Sequence, residues 1–161
     1  MNRLVLASGV LVGAAALAVT LLAATASGRS SAGVTFHLVE KDQAFDYVDN
    51  PPSLARHVPS QGDAFVFKAS LLSRSMKQSG TLFGTCTITS GGRAPIETCL
   101  GTYNLAGGQI VGATSVRDQK LVKQIAIIGG TGAYAGARGE ITSVSRGEDS
   151  PFSDDTVHLL P

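Results

Sequence analysis

A chain of 161 residues with 43 % hydrophobic and 16 % charged side chains is sized for one domain with its own core. Its 13 Lys and Arg against 12 Asp and Glu give a formal net charge of +1, with no run of basic residues anywhere. That balance excludes the clustered positive field needed to hold nucleic acid or an anionic membrane surface, and suits a neutral ligand or a protein partner.

At the N-terminus Arg3 precedes an almost unbroken apolar run over residues 4–24, and Ala24-Thr25-Ala26 forms a small-residue cleavage pattern before Ser27. Residues 1–26 therefore read as a secretory signal peptide, which makes the protein secreted and extracellular, with no membrane attachment after processing. The run is also long enough to cross a bilayer, so an uncleaved anchor is the alternative. Residues 27–33 are small and polar, a flexible leader, and residues 34–161 form the domain.

Within that domain, residues 34–40 alternate as a first strand, with Thr35, His37 and Val39 on one face and Phe36, Leu38 and Glu40 on the other. Residues 41–61 show no clean period and contain Asn50-Pro51-Pro52 and Pro59, which predicts a long surface loop. Residues 64–72 form the next strand, with Phe65, Phe67 and Ala69 on one face, and a polar turn follows. Residues 81–89 and 95–105 make a hairpin rich in Thr, Ile and Leu. Gly107-Gly108 turns into residues 109–116, and residues 122–128, 140–146 and 156–160 complete the series. Strands recur about every 8 to 12 residues, the pattern of an all-β barrel or sandwich.

Residues 129–141, GGTGAYAGARGEI, admit two readings. An apolar strand feeding glycines resembles a phosphate loop, but that motif needs a following helix and further βαβ units. Gly136 and Gly139 interrupt any such helix, so the stretch reads as a tight corner between two antiparallel strands.

Cys86 and Cys99 fall in the part of the chain expected to be exported, where oxidation is permitted. A two-residue turn at Gly92-Arg93 pairs residues whose numbers sum to 185, and the two cysteines do so. Counting outward from Gly91:Ala94 makes Ser90:Pro95 and Cys86:Cys99 non-hydrogen-bonded pairs, with Cα atoms about 4.5 Å apart. A cross-strand disulfide is expected, two buried thiols being the alternative.

Taken together, Gly62-Asp63-Ala64-Phe65-Val66-Phe67, Gly84-Thr85-Cys86, Gly107-Gly108-Gln109-Ile110, the run Ile127 to Glu140 and the closing Val157-His158-Leu159-Leu160 resemble the plant dirigent proteins, the allene oxide cyclases and their bacterial relatives. The resemblance implies an all-β, eight-stranded antiparallel β-barrel of the calycin type with a largely apolar cavity, commonly as a homodimer or homotrimer. No cofactor and no metal are expected. Allene oxide cyclases carry a Glu-x-Asn pair on the first strand, where His37 and Val39 stand here. Dirigent proteins carry an acidic residue after a Phe/Met-His motif; Phe36-His37 matches and Leu38 replaces the acid. A dirigent pocket Arg corresponds to Arg138.

The candidate site residues follow from these readings. His37 is a cavity acid/base or a hydrogen-bonded barrel residue. Glu97 shares a face with Cys99 and is a candidate acid if that face points inward, a solvated strand residue if outward. Tyr103 offers a phenol to a ligand or packs in the core; Phe65 and Phe67 supply apolar wall; Arg138 is a pocket group or a partner of Glu140. Asp63 at a strand entry fits an Asx-type turn bond. His57 and His158 lack spaced companions for a metal site. The functional expectation is a dirigent-like barrel that binds or orients a small apolar molecule, aromatic or polyunsaturated. The alternatives are a cofactor-independent cyclase or isomerase of the allene oxide cyclase type, and a barrel filled by side chains that serves structure or protein interaction.

Overall fold

A computed structural model of the protein describes residues 33–50, 58–117 and 120–161. The expected signal peptide, nearly all of the leader, and His57 lie outside the described residues. Eight strands run β1 (Val34–Val48), β2 (Ala64–Leu72), β3 (Gln78–Ser90), β4 (Ile96–Leu105), β5 (Gly108–Arg117), β6 (Val122–Gly130), β7 (Gly139–Ser145) and β8 (Phe152–Leu159). Each pairs antiparallel with the next, and β8 pairs with β1, closing the barrel. One 3-10 turn, Gly132–Tyr134, interrupts the pattern.

The predicted loop over residues 41–61 is corrected: β1 continues to Val48. A bulge between Asp42 and Ala44 switches the inward face from even to odd positions. Phe36, Leu38, Glu40 and Asp42 share one face before it, and Phe45 and Tyr47, opposite Phe67 and Phe65, share that face after it. A one-residue insertion of this kind erases period-2 alternation while leaving the strand intact. The β3–β4 hairpin keeps the expected register from Gly80:Leu105 through Ile88:Glu97, then slips by one, so that Ser90 pairs with Ile96 instead of Pro95. β8 begins four residues earlier than expected, drawing Asp154 and Asp155 into the sheet.

Packing divides the interior into two halves. Leu38, Ala69, Leu71, Leu82, Ile110, Ile127, Ile141 and Val157 fill one end, and complete burial of each larger aliphatic side chain there stabilises the fold by about 1.5–3 kcal/mol. The Gly-rich corner closes this packed end: Thr131 and Ala133 donate to Gln109 and Gly107 carbonyls, and Tyr134 lies 6.5 Å from the Phe36 ring. Gly132 (φ 61°) and Gly139 (φ 141°) hold backbone conformations that side chains disfavour. The opposite end, where β1 ends and the β3–β4, β5–β6 and β7–β8 connections lie, is open.

Asp63 anchors the rim of that open end. Its carboxylate accepts from Tyr47 Oη (2.6 Å), Asn50 N (2.9 Å), Ser60 N (2.7 Å) and Ser60 Oγ (2.8 Å), a larger version of the expected turn bond. These donors, the Tyr47 hydroxyl foremost, hold its pKa far below the ordinary 3.8. A carboxylate depressed on folding stabilises above its unfolded pKa, and that stabilisation is lost as pH falls through the folded value. Asp63→Asn is therefore expected to lower the melting temperature at pH 7 and to shrink the difference at pH 3; equal losses at both pH values would show that the charge is not what holds the rim.

Candidate functional site

The open half of the barrel encloses a cavity of about 840 Å³. Its size has a local cause. Gly84 pairs with Gly101, and Gly101 with Gly112, so three adjacent strands present glycine at one level of the inner wall. The Phe67 ring fills the space over Gly84 and Ile125 that over Gly112, whereas Gly101 between them is the least covered of the three, with Leu82 Cδ1 3.3 Å from where a Cβ would stand. Phe45, Phe65 and Phe67 form an aromatic wall, with ring centroids 4.8 Å and 6.4 Å apart along the series. Lys120 and Leu121 of the β5–β6 connection and residues 147–150 of the β7–β8 connection frame the mouth.

Between the cavity and the packed core lies a set of carboxyl groups. Tyr103, 2 % exposed, donates to Asp155 Oδ2 at 3.1 Å. Asp155, 1 % exposed, leaves Oδ1 without a hydrogen bond. It faces inward, since its strand partners are Leu38 on β1 and Ser143 on β7. Glu40, two residues beyond Leu38 on the same face, lines the cavity together with Asp42. Burial, reinforced by the neighbouring Asp155 and Asp42 and opposed by Lys123, pushes Glu40 up to about 8. Burial also raises Asp155 to about 6, against the pull of the Ser143 and Tyr103 hydroxyls. Asp42 is raised by burial as well, and burial followed by the nearby Asp155 drives the Tyr103 phenol well above its usual value.

Glu97 also faces inward, 2 % exposed, but it is not isolated: Lys123 Nζ donates to Oε1 at 3.2 Å. The expected disulfide joins Cys86 and Cys99, with Cα atoms 4.0 Å apart, and both cysteines line the cavity.

The structure thus brings Phe65, Phe67, Glu97, Tyr103 and the disulfide to one cavity and leaves two candidates outside it. His37 lies on the outer face, where Nδ1 is 3.1 Å from Thr156 Oγ1. Arg138 is exposed on the Gly-rich corner, where it donates to the Pro161 carbonyl at the end opposite the mouth. The expectation that His37 works inside a cavity is corrected by strand phase, because the inward face of β1 is that of Leu38 and Glu40. Sequence reading missed Glu40, Asp42 and Asp155. Glu40 could have been found from its place on the face of Phe36 and Leu38; Asp155 lies one residue before the last expected strand, and no sequence feature marks it.

A carboxyl whose folded pKa is raised destabilises the native state where it must ionise. The fold is therefore most stable below the unfolded value near 4.5 as far as Glu40 is concerned, and loses stability as pH rises through about 8. Glu40→Gln should remove that alkaline limb, raising the melting temperature at pH 9 relative to wild type and not at pH 5. An unchanged difference between the two pH values would place the ionisation elsewhere.

These features define a closed, half-hollow, eight-stranded antiparallel barrel. No protein-family model matches the sequence, and no curated protein matches it. Among solved structures, a pyocyanin demethylase is similar at 27 % identity and a TM-score of 0.67, over 78 % of this chain and 99 % of that one. An exo-specific intermolecular Diels-Alderase (15 % identity, TM-score 0.61, 79 % and 96 % covered) and a pterocarpan synthase dirigent protein (16 % identity, TM-score 0.62, 81 % and 95 % covered) share the fold.

Proposed function

We propose that this protein takes up a small, largely apolar guest in the open half of its barrel and fixes its orientation against the aromatic wall, acting as an exported dirigent-type barrel. The observation that carries this reading is the cavity of about 840 Å³, faced on one side by aromatic rings and on the other by the carboxyl groups of Glu40, Asp42 and Glu97. A concave site that sets an aromatic wall against convergent polar groups can hold and orient a small molecule. The similarity to a pyocyanin demethylase supports a guest of small-molecule size. A barrel filled throughout by side chains would leave no such void.

A second reading, a cofactor-independent isomerase or cyclase, is favoured by Glu40. A carboxyl that keeps its proton near neutral pH can donate and retrieve it, and Asp155 with Tyr103 offers an adjacent acceptor and donor. In that reading Glu40 takes the role expected of His37 or Glu97.

Native mass spectrometry of the exported protein tests the first reading directly, since a retained guest adds its own mass and the same spectrum gives the oligomeric state. Val66, Phe83 and Leu100 on the outer face, each about half exposed, support self-association as a homodimer or homotrimer. The mature N-terminus is expected at Ser27. Among the described residues no helix is long and apolar enough to cross a membrane. An apo mass, combined with no uptake of aromatic compounds by equilibrium dialysis, would reject the luminal reading.

A further inference from the structure

We infer that the guest is an aromatic cation, held with its ring on Phe45, Phe65 and Phe67 and its positive charge toward Glu40 and Asp155. The inference rests on the luminal reading above and adds the charge of the guest.

Three separate features of the cavity support it. First, the signs are unbalanced. Glu40, Asp42, Glu97, Glu148 and Asp149 line it against Lys120 and Lys123, and Lys123 is already paired with Glu97. Lys120 stands at the exposed mouth. Among the described residues an anionic guest would find no free cation in the depth of the cavity, whereas a cationic one would find carboxyl groups without a cationic partner. Second, Asp155 Oδ1 is an orphan acceptor in a residue 1 % exposed, on the inner face beside Glu40 and Tyr103. Burying a polar atom without a partner is costly, so an electropositive group brought close to it is favoured. Third, aromatic faces attract cations, more strongly as water is excluded.

Glu40 makes the inference measurable. The groups facing it are Asp42 on its own strand, Asp155 on β8, Tyr103 on β4, Ser143 on β7 and Lys123 on β6; β2 presents only Phe67, Ala69 and Leu71 on that face. Near neutral pH the Glu40 carboxyl is mostly protonated in the empty barrel. Arrival of a cation favours the carboxylate, so the proton leaves for solvent as the ion pair forms, and the cation binds more tightly as pH rises. A neutral guest displaces no proton.

Three probes of nearly equal size separate the outcomes: N-methylquinolinium, neutral 1-methylnaphthalene and anionic 1-naphthoate, each measured by equilibrium dialysis at pH 6 and pH 9 against the full-length exported protein. The cation is expected to bind at pH 9 about tenfold more tightly than either isostere. Its affinity should fall toward pH 6, and calorimetry in buffers of different ionisation enthalpy at pH 7 should show net proton release. Glu40→Gln should flatten the pH dependence, and Asp155→Asn should weaken the cation more than 1-methylnaphthalene, so that failure of one variant to fold leaves the other to decide. Equal affinity for the cation and 1-methylnaphthalene at pH 9 would overturn the inference while leaving luminal binding intact. If none of the three binds, both readings fall.

Discussion

Replacing Gly101 by Trp is expected to reduce guest affinity by about 100-fold or more, a loss of roughly 2.7 kcal/mol, while leaving the barrel folded. Gly101 sits at the centre of the glycine row on β3, β4 and β5, and it lines the cavity. A Cβ built there comes within 3.3 Å of Leu82 Cδ1, the end of a flexible side chain that has to give by only a few tenths of an ångström, and the indole then points into the cavity that Gly101 lines. Its neighbours behave differently: a Cβ at Gly84 collides with the Phe67 ring, and one at Gly112 comes within 2.7 Å of Ile125. Those substitutions force side chains out of place and should cost about 1–3 kcal/mol of stability, whereas Gly101→Trp should cost less. The protein contains no Trp of its own. The new indole is therefore its own reporter, with blue-shifted emission if it occupies the cavity. A variant with blue-shifted emission and wild-type affinity would show that guests bind elsewhere.

The second large effect concerns the disulfide. Cys86→Ala with Cys99→Ala is expected to destabilise the fold by about 3 kcal/mol, the scale for a cross-link closing a loop of this size; the two residues are 13 apart in sequence. For a domain of this length that corresponds to a fall of about 10 °C in melting temperature. The cross-link clamps β3 to β4 one pair beyond Thr85:Leu100, next to the level of the glycine row. Reduction of the wild type should reproduce the shift and add nothing in the double variant. Melting that is insensitive both to reductant and to the substitutions would assign the hairpin's stability to its ladder alone.

Most of the barrel could be read from the chain because antiparallel strands announce themselves locally. The bounds of β2 are those expected, the Gly107 turn gives β4 and β5 their order, and Cys86 opposite Cys99 follows from counting outward across the turn. Where reading failed, a local irregularity had broken the count. The bulge after Asp42 hid the second half of β1, and the slip after Ile88 moved the hairpin's tip by one residue.

The candidate site was legible only in part. Phe65, Phe67, Glu97 and Tyr103 sit on strands whose alternation is clear, and they meet in the cavity. His37 and Arg138 were picked for residue type and resemblance, and strand phase and the closed corner place them outside. Glu40 and Asp155 looked like ordinary surface acids, because an acidic side chain says nothing about its own burial.

The stretch from Gly129 to Ile141 marks the same boundary between chain and fold. By itself the sequence determined that these glycines turn a corner, since no helix can follow them, and it determined the strand order and the disulfide, because each of those depends on spacing along the chain. Only the closed barrel decided that the corner seals the packed end, that the cavity lies at the other, and that buried Asp155 comes close enough to half-buried Glu40 to raise its pKa. Those facts depend on which strands meet across the lumen, and distances across a lumen are not encoded in any local period.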